Sequence, residues 1–550
     1  MNPQVTYKPS EEVDFVIVGS GAAGGVLAKE LSTAGFKVVV LEQGRWVPPS
    51  EFGHDEIAQS QEHTLTNNSQ QQPQTFRKTP QDKAEKQLSA IYGRCVGGGT
   101  VHFTANFWRF HEIDFIERSR RGPVAGTAFA DWPLTYADLE PYYTKLEWEV
   151  GVSGLAGASP FDPYRSKPYP LPPLPVKSSG VIFERAAWKV GLHPFPSPMA
   201  ILSQPYRGRA GCIHCGRCLG FGCEVGAKSS TLASVIPVAQ QTGRCEIRTH
   251  SYAFRVETDR HDRAKGVAYF DGRGRQHFQK GRAVILSANG AETPRLLLLS
   301  SSRRYPQGLA NSSGLVGKHL MINGYSGVLA AFEQPLNDYS SAAVSRVLHD
   351  FYEIDPKLGF YGGGGLDARF GRTPINFALG AVPPEVPRWG KAYKNWLAET
   401  FSHSMFVTCH ATSLPVENNS FSLDPDLKDA WGLPALRMTY RDHPDDLKTV
   451  KYLQDRALEL LAASPATHVW PQPVQEQTRA VHLLGTCRMG NDPKTSVVNA
   501  DHRTHDVPNL FLCDGSSFVT SGRGQPTMTI EALAFRAADR IADAARRGEI

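Results

Sequence analysis

Short apolar runs alternate with glycine-rich and helix-compatible stretches, and this order predicts an α/β protein. The run FVIV (15–18) is followed by GVLAKELSTAG (25–35) and then by a second apolar run, KVVVLE (37–42). The stretch AVILSANGAETPRLLLLS (283–300) has the same order, an apolar run that leads into a helix-compatible one. Continuous apolar runs of this length are typical of parallel strands covered by helices on both faces.

Apolar segments between residues 331 and 477 predict a second sheet. They include SMFVTCHATSL (404–414) and PALRMTYR (434–441). The glycine run YGGGGLDARFG (361–371) lacks large side chains at four successive positions, which predicts a mobile loop, a partner contact or a flexible turn. No run approaches the eighteen apolar residues that a membrane-spanning helix needs.

Length and composition indicate an ordinary globular protein of two or more domains. The chain has 550 residues, of which 41% are hydrophobic and 21% are charged. The net charge of +5 is spread thinly, and basic stretches such as RSRR (118–121) are short, which disfavours nucleic acid as a partner. The N-terminus shows neither a charged-then-apolar signal nor twin arginines, so the residues alone predict a chain made in the cytoplasm.

The first fifty residues carry a dinucleotide fingerprint. Gly19, Gly21 and Gly24 form G-x-G-x-x-G between a strand and a helix, and Glu42 ends the second strand. The glycines permit a tight turn, close approach to a pyrophosphate and close helix packing, while the helix N-terminus attracts the phosphates. A carboxylate at this position binds ribose hydroxyls and would repel the 2′-phosphate of NADP.

Four of the nine cysteines lie within twelve residues, in the Cys-rich segment 211–230. Cys212, Cys215, Cys218 and Cys223 have the spacing C-x2-C-x2-C-x4-C, which is close to that of bacterial ferredoxins. Structural zinc usually takes two pairs with a longer spacer, and disulfides between such close cysteines would close small, strained loops. The spacing predicts an iron–sulfur cluster of the 3Fe-4S or 4Fe-4S type, with a zinc site or free thiols as the alternatives.

Three further motifs, together with the opening, identify a family. They are GRCVGGGTVHFTANFWRF (93–110), VHLLGTCRMG (481–490) and NLFLCDGSSFVTSGRGQPTMTIEALAFRAADRI (509–541). In order and spacing the chain resembles the glucose–methanol–choline (GMC) oxidoreductases over essentially its whole length. The resemblance implies an α/β fold in which a discontinuous, Rossmann-type FAD-binding domain is interleaved with an α+β substrate-binding domain built on an antiparallel sheet.

The resemblance also implies domain boundaries and cofactor-binding residues. It assigns residues 1–125, 235–330 and 478–550 to the FAD-binding domain, and 126–234 and 331–477 to the substrate-binding domain. It places Gly19, Gly21, Gly24 and Glu42 at the ADP half of FAD, Gly98, Gly99 and Asn106 beside the isoalloxazine, and Asp514 and Gly515 near the ribityl–pyrophosphate. His102 matches a position where some members link the flavin covalently; packing on the ring is the alternative, and no covalent bond is predicted.

The same resemblance implies the catalytic residues. The family's catalytic histidine precedes GTCRMG, which makes it His482 here, and a neutral imidazole can accept a hydroxyl proton near pH 7. The second catalytic position, usually His or Asn, is Gln525 in QPTMT. Because an amide cannot take a proton at neutral pH, we expect His482 to be the sole base and Gln525 to orient the substrate hydroxyl.

Stretches around the Cys-rich segment refine the expected function. Residues 108–154 and 167–176 resemble the catalytic subunits of membrane-associated bacterial sugar dehydrogenases, from which the cysteine spacing of this chain departs. This likeness implies hydride transfer from a sugar or glycoside hydroxyl to flavin N5, with the cluster relaying electrons to a c-type cytochrome or a quinone. It also implies a small signal-bearing partner subunit, with export to the periplasm alongside it; residence in the cytoplasm is the alternative.

Two other functions fit the same motifs. One is oxidation of aliphatic or aromatic alcohols by an oxidase or dehydrogenase whose thiols are structural. The other is a redox-neutral lyase, or a flavoprotein without catalysis, on the same fold.

Overall fold

A computed structural model describes residues 5–60, 62–369 and 373–550 of the chain. The described part holds three sheets with the strands β1 Val13–Val18, β2 Val38–Leu41, β3 Gln74–Arg77, β4 Glu85–Lys86, β5 Phe195–Pro196, β6 Cys245–Arg248, β7 Tyr252–Thr258, β8 Ala264–Phe270, β9 Gln276–Leu286, β10 Gly324–Ala331, β11 Val344–Leu348, β12 Gly364–Arg369, β13 Ser404–Ala411, β14 Ser420–Lys428, β15 Pro434–Thr439, β16 His468–Pro471 and β17 Leu510–Leu512. Its α-helices are α1 Ala22–Thr33, α2 Glu56–Ser60, α3 Glu112–Phe115, α4 Glu117–Arg121, α5 Tyr136–Val150, α6 Ser178–Lys189, α7 Val235–Gln241, α8 Asn289–Leu299, α9 Pro374–Gly380, α10 Gly390–Thr400, α11 Pro444–Ala462 and α12 Thr527–Arg546.

A parallel sheet forms the centre of the cofactor-binding half, with the strand order β6-β2-β1-β9-β17. In register, Val16 of β1 lies between Val39 of β2 and Val284 of β9. These valines are fully buried, and helix α1 packs against β1 and β2 while α12 packs against α1. The apolar runs at the start of the chain and near residue 283 therefore form adjacent strands, as predicted.

Strand β9 is longer than its apolar run because it belongs to two arrangements. Its first half, from Gln276, pairs antiparallel with β8, which in turn pairs with β7. Its second half pairs parallel with β1 and β17. The one strand thus joins an antiparallel ribbon to the parallel sheet.

A six-stranded antiparallel sheet forms the second half, in the order β16-β10-β13-β12-β11-β5. One face packs against α11 and α6 through buried apolar side chains such as Val328, Val407 and Leu366. The other face carries Tyr325 and His410, which hydrogen-bond to the loop that precedes α12. The predicted fold class, a Rossmann-type parallel sheet with a separate antiparallel sheet, is confirmed.

Residues 364–369 of the glycine run form a central strand, β12, so the interpretation of the run as a loop or turn is wrong for those residues. A Cβ on Gly363 would lie 2.0 Å from the Tyr352 carbonyl oxygen, and one on Gly364 would lie 2.1 Å from that of His410. The glycines are present because neighbouring backbones approach too closely for a side chain. Residues 370 and 371 of the run lie outside the described part.

A four-stranded sheet, β14-β15-β3-β4, completes the fold and contains PALRMTYR, which therefore does not belong to the six-stranded sheet. Strand β15 pairs parallel with β3, which comes from the first 125 residues. The domain boundaries given by resemblance stay a prediction. Within the described residues, no helix is both long enough and apolar enough to cross a membrane.

Candidate active site

A cavity of about 360 Å³ lies where the carboxyl ends of the parallel strands face the six-stranded sheet. The structure brings almost all of the predicted site residues to its wall. Those that line it are Gly19, Gly21, Glu42, Gly98, Gly99, His102, Asn106, His482, Asp514, Gly515 and Gln525. Gly24 lies behind the wall, where its absent Cβ would stand 1.9 Å from the Gly19 carbonyl oxygen.

The first glycine turn is shaped for a ligand that needs bare backbone. Gly19 has φ 94°, and a Cβ there would lie 2.5 Å from the Ser287 carbonyl oxygen. Gly98, with φ 54°, comes from a separate loop, and its Cβ would lie 2.8 Å from the Cα of Gly21. Two glycine loops therefore meet backbone to backbone at the N-terminus of α1, where N–H groups and the helix dipole favour phosphate.

Glu42 is held in place at the end of β2. Its Oε2 accepts hydrogen bonds from the N–H and Oγ–H of Ser20, at 3.0 and 2.7 Å, and its Oε1 accepts one from the N–H of Gly44 at 2.8 Å. Burial raises the pKa of this carboxyl, while these hydrogen bonds act in the opposite direction. The side chain is preorganised at the cavity wall, in the position expected for a ribose-binding carboxylate.

Unpaired polar atoms mark the part of the cavity expected to face the flavin ring. Asn106 is 2% exposed, and neither its Oδ1 nor its Nδ2 has a hydrogen-bond partner among the described residues. The Nε2 of His102 is likewise buried without a described partner, and burial lowers the pKa of this histidine to about 4. Buried polar groups normally have partners, so these atoms fit a ligand that carries hydrogen-bonding groups of its own.

Asp514 lines the cavity, but its carboxylate accepts hydrogen bonds from neighbouring protein groups. Oδ1 accepts from the N–H of Ser516 at 2.8 Å, and Oδ2 accepts from the N–H of Asn289 at 2.9 Å and the hydroxyl of Thr293 at 2.6 Å. It fastens the start of α8 to the turn at residues 515–517. Asp514 therefore shapes the wall near the predicted ribityl–pyrophosphate position.

These features fit FAD. The two glycine loops would carry the pyrophosphate, Glu42 the adenosine ribose, and Asn106 and His102 the polar edge of the ring. No part of this donor set calls for a metal ion.

His482 has a defined tautomer. Its Nδ1 lies 3.0 Å from Oδ1 of Asn323 and 3.3 Å from the hydroxyl of Tyr325. The Nδ2 of Asn323 is surrounded by the carbonyl oxygens of Ala411, Ser521 and Gly522, each at 3.3 Å, which fixes its amide with Oδ1 toward the histidine. Because Oδ1 can only accept, Nδ1 carries the proton and donates it.

The other ring nitrogen is therefore a base. Nε2 of His482 has no hydrogen-bond partner among the described residues, and the side chain lines the cavity. Burial, together with a smaller effect of the positive charge of Arg369, lowers the pKa of His482 to about 4. The imidazole is thus neutral at pH 7, with the lone pair of Nε2 available to a substrate hydroxyl.

Gln525 stands beside His482. Its Nε2 lies 3.4 Å from the hydroxyl oxygen of Tyr325, the same oxygen that His482 approaches. The structure thus brings both predicted catalytic side chains to one wall of the cavity, in contact with a common tyrosine.

Asn323 and Tyr325 are functional residues that sequence reasoning missed. Asn323 has φ 58° and is fully buried. The dipeptide Asn323–Gly324 is a turn signal that favours positive φ, and this could have marked the position. Nothing in the sequence shows that its side chain reaches a histidine 159 residues away.

The four cysteines of the Cys-rich segment surround one small second cavity of about 20 Å³. All are free thiols, and Cys212 and Cys223 accept backbone N–H···S hydrogen bonds at 3.4 and 3.5 Å. Among the described residues, however, no three His, Cys, Asp or Glu side chains are placed so that they could hold a metal ion. The iron–sulfur cluster predicted on Cys212, Cys215, Cys218 and Cys223, and the zinc alternative, are therefore without support from the described residues.

A buried lysine joins this segment to the active-site wall. The ammonium of Lys228 donates to the carbonyl oxygens of Phe103, Cys218 and Phe221, at 3.1, 2.7 and 2.7 Å. Burial lowers its pKa to about 8, and the nearby cysteines oppose that shift. The N–H of Gly220 also donates to the His102 carbonyl at 2.8 Å, so the segment forms part of the wall behind the predicted flavin position.

Comparison with known proteins agrees with this geometry. Family models described as GMC oxidoreductase match residues 13–323 and 415–534. The chain is 36% identical to 2-methyl-1,2-propanediol dehydrogenase of Mycolicibacterium austroafricanum, over 97% of this chain and 95% of that protein. It is 30% identical to the gluconate 2-dehydrogenase flavoprotein of Pantoea cypripedii, over 96% and 94% of the two chains.

A solved structure of similar fold is that of formate oxidase from Aspergillus oryzae. It superposes with a TM-score of 0.68 over 99% of this chain and 100% of that chain, at 16% identity. At this identity the likeness concerns the fold, and the family follows from the sequence matches. With both family models matched in order around a cavity that fits FAD, the chain belongs to the GMC oxidoreductase family.

Proposed function

We propose that this FAD-dependent oxidoreductase is a dehydrogenase that oxidises a hydroxyl-bearing carbon of a sugar, a glycoside or a related small polyol. The observation that carries the proposal is the tautomer of His482, whose Nδ1 proton is committed to Asn323 and whose Nε2 is free to act as a base. Bound FAD supplies the acceptor for the hydride that leaves the substrate carbon.

His482 performs the proton half of the reaction. The substrate hydroxyl donates to Nε2, and the proton moves to this nitrogen as the carbon–hydrogen bond breaks. Because Nδ1–H stays bonded to Asn323, the ring that results carries a proton on each nitrogen and keeps its orientation. Burial disfavours this charged form, so the proton has a strong tendency to leave afterwards.

The substrate class is supported by two relatives. Their names give 2-methyl-1,2-propanediol and gluconate as substrates, and both molecules carry neighbouring hydroxyl groups. Both names also describe dehydrogenases, which favours an electron acceptor other than oxygen for this chain.

The route of the electrons out of the flavin is a separate matter. The predicted relay runs through an iron–sulfur cluster to a c-type cytochrome or a quinone, with a small signal-bearing subunit as partner and the periplasm as location. The proposed reaction includes no step through the cluster, because the described residues show no site for a metal ion. Iron analysis after anaerobic purification tests the cluster: below one iron per chain agrees with the arrangement described, and three or more would restore the relay.

Anaerobic mixing tests the proposed reaction. Glucose, a methyl glucoside, ethane-1,2-diol and benzyl alcohol are each added to the FAD-loaded enzyme, and bleaching of the flavin absorbance is followed. We expect bleaching by a polyhydroxylated compound, and oxygen consumption much slower than turnover with an artificial acceptor. Bleaching by benzyl alcohol alone would favour the aromatic-alcohol alternative, and no bleaching by any compound would contradict the proposal.

His482→Ala is the matched test of the base. We expect flavin reduction to slow by about two orders of magnitude or more, since general base catalysis contributes about that much. The flavin spectrum should be unchanged, because His482 makes no contact that fastens the glycine loops. An unchanged rate of reduction would contradict the role of His482.

A further inference from the structure

We propose that Gln525 recognises a second substrate hydroxyl, on the carbon next to the one that is oxidised, so that the site selects vicinal diols over simple alcohols. This inference rests on the proposed function, since it concerns the same cavity and the same base. It assigns Gln525 as the residue that determines specificity for neighbouring hydroxyl groups.

Tyr325 has a single hydroxyl hydrogen. Tyr325 donates that hydrogen to the carbonyl oxygen of Gly524 at 2.8 Å. Its oxygen can then only accept from other groups. Nε2 of Gln525, 3.4 Å from this oxygen, therefore presents an N–H to it, while the Nδ1–H of His482, 3.3 Å away, points mainly to the closer Oδ1 of Asn323.

This requirement fixes the amide of Gln525. Its Nε2 is turned toward Tyr325, which leaves Oε1 on the other side of the same amide plane. Oε1 has no hydrogen-bond partner among the described residues, and the side chain lines the cavity. Gln525 thus offers the cavity an acceptor.

The loop that carries Gln525 is rigid. Two residues earlier, the Arg523 guanidinium is buried and paired with Asp114 and Glu117, and its Nε donates to the carbonyl oxygen of Tyr352 at 2.8 Å. The Arg523 carbonyl oxygen in turn accepts from Nδ1–H of His410 at 3.0 Å. The backbone on both sides of Gly524 is therefore held, and Oε1 has a defined position.

Two acceptors now face one substrate. The side chains of His482 and Gln525 both approach Tyr325, through Nδ1 and Nε2, and both line the cavity. Their other polar atoms, Nε2 of His482 and Oε1 of Gln525, are therefore available to one substrate bound there. A simple alcohol has one hydroxyl hydrogen, and it must go to His482 for the reaction to proceed. The second acceptor would then be desolvated without a partner, which is costly, whereas a neighbouring hydroxyl would donate to it.

The chemistry of the step is unchanged by this contact. The hydroxyl on the oxidised carbon loses its proton to Nε2 of His482, and that carbon loses hydride to the bound flavin. The second hydroxyl stays intact as a hydrogen-bond donor. The product is a hydroxy-substituted carbonyl compound.

Three matched probes test the proposal: ethane-1,2-diol, its methyl ether 2-methoxyethanol, and ethanol. The ether keeps the second oxygen of the diol and adds one methyl group, but it lacks the second donor hydrogen. Flavin reduction by each is measured anaerobically, with glucose and 2-deoxyglucose run as a second pair. For the wild-type enzyme we expect kcat/KM for the diol to exceed that for the ether and for ethanol by about tenfold or more, in keeping with an unpaired buried acceptor.

Two variants separate recognition from simple damage. Gln525→Met removes both amide groups and should lower the diol-to-ether ratio to near one, while Gln525→Glu keeps an acceptor and should retain a ratio well above one. Because each ratio is taken within one preparation, it does not depend on how much of a variant is folded or loaded with FAD.

Each outcome either supports or contradicts the role of Gln525. A diol-to-ether ratio near one in the wild-type enzyme, or an unchanged ratio in Gln525→Met, would overturn the inference while leaving the dehydrogenase function intact. If only the sugars are oxidised, the ratio of glucose to 2-deoxyglucose is scored in the same way. Absence of bleaching by all five compounds would instead be the failure of the proposed function.

Discussion

At the scale of single residues, the proposed role of His482 as a base depends on its tautomer, which the buried Asn323 sets. Asn323 accepts the Nδ1 proton, and its own amide hydrogens are bound by three backbone carbonyls. The histidine therefore cannot change tautomer without leaving Oδ1 of Asn323 facing a lone pair. Asn323 is a positioning residue for the base.

Replacing Asn323 should reveal this role. Asn323→Gly tolerates the positive φ of 58° but removes the acceptor, so both tautomers become accessible and flavin reduction should slow by about tenfold or more. Stopped-flow reduction rates with saturating substrate measure the effect. A rate equal to that of the wild-type enzyme would show that the tautomer is set elsewhere.

The pH profile gives an independent measure of the same contact. In the wild-type enzyme the base form of His482 is lost only as pH falls through a pKa of about 4, so kcat/KM should stay level from pH 7 down to about 5. Asn323→Asp places a carboxylate beside Nδ1–H, which favours the imidazolium and raises that pKa. The acid limb should then move to higher pH, an outcome that a purely structural defect would not produce.

At the scale of elements, the contact between the two glycine loops predicts different effects for two neighbouring substitutions. Gly98→Ala places a Cβ 2.8 Å from Gly21 Cα at φ 54°, so we expect the free energy of unfolding to fall by about 1–3 kcal/mol. Gly99→Ala meets no protein atom within 4 Å, but its Cβ enters the cavity. It should leave the apoprotein stable and weaken FAD binding.

Chemical denaturation of the apoprotein and titration with FAD measure the two effects separately. Gly53→Ala is the control, since its Cβ would also meet no atom within 4 Å and Gly53 does not line the cavity. Equal stability of the Gly98→Ala and Gly99→Ala apoproteins would contradict the backbone contact.

Helix α12 contains a buried glutamate, Glu531, whose carboxyl group has no hydrogen-bond partner among the described residues. Glu531 is fully buried, and neither carboxylate oxygen has a described partner, so burial raises its pKa well above the usual range. Below the pKa of the unfolded state, Glu531 is protonated in both states and costs no stability. As pH rises from that pKa toward the higher pKa of the folded state, ionisation favours the unfolded state, so the free energy of unfolding falls. Glu531→Gln removes this loss.

The difference in melting temperature between Glu531→Gln and the wild-type holoenzyme should therefore increase as pH rises from about 5 to 8. Thermal unfolding followed by circular dichroism checks it. The exposed Glu399→Gln is the control, for which we expect no trend. A constant difference for Glu531→Gln would mean that the carboxyl is ionised throughout.

At the scale of the whole molecule, the cavity joins segments that are far apart in the chain. Its wall is built from β1 and α1, from the loop at residues 91–106, from β7 and α8, and from two segments after residue 480. A ligand that fills it bridges all of them and binds the folded state alone. The stability of this protein should therefore be linked to FAD concentration.

FAD added at one hundred times its dissociation constant should stabilise the apoprotein by about 2.7 kcal/mol. Thermal shift against FAD concentration measures this. ADP offers contacts only to the first glycine turn and Glu42, so it should stabilise less at equal concentration. Equal effects of FAD and ADP would contradict a flavin-binding role for the loop around Gly98.

The sequence allowed the parallel sheet, the first glycine turn and most of the cavity wall to be predicted, because local patterns determine them. It did not allow the role of Asn323 to be predicted, since that role depends on a contact across 159 positions. It also misled at the glycines 362–365, where the absence of side chains reflects close backbones and not freedom of motion. In the Cys-rich segment, spacing suggested a cluster that the placement of the sulfurs does not support.

The hydrogen bonds that attach the Cys-rich segment to the cavity wall do not depend on its thiols. The buried ammonium of Lys228 donates hydrogen bonds to three carbonyl oxygens, and two of these carbonyls belong to the segment itself. The segment behind the predicted flavin position is thus attached through an ammonium group and main-chain carbonyls, and no sulfur atom takes part in these hydrogen bonds. We therefore expect that exchange of all four thiols for serine leaves these three hydrogen bonds in place, whereas replacement of Lys228 removes them together.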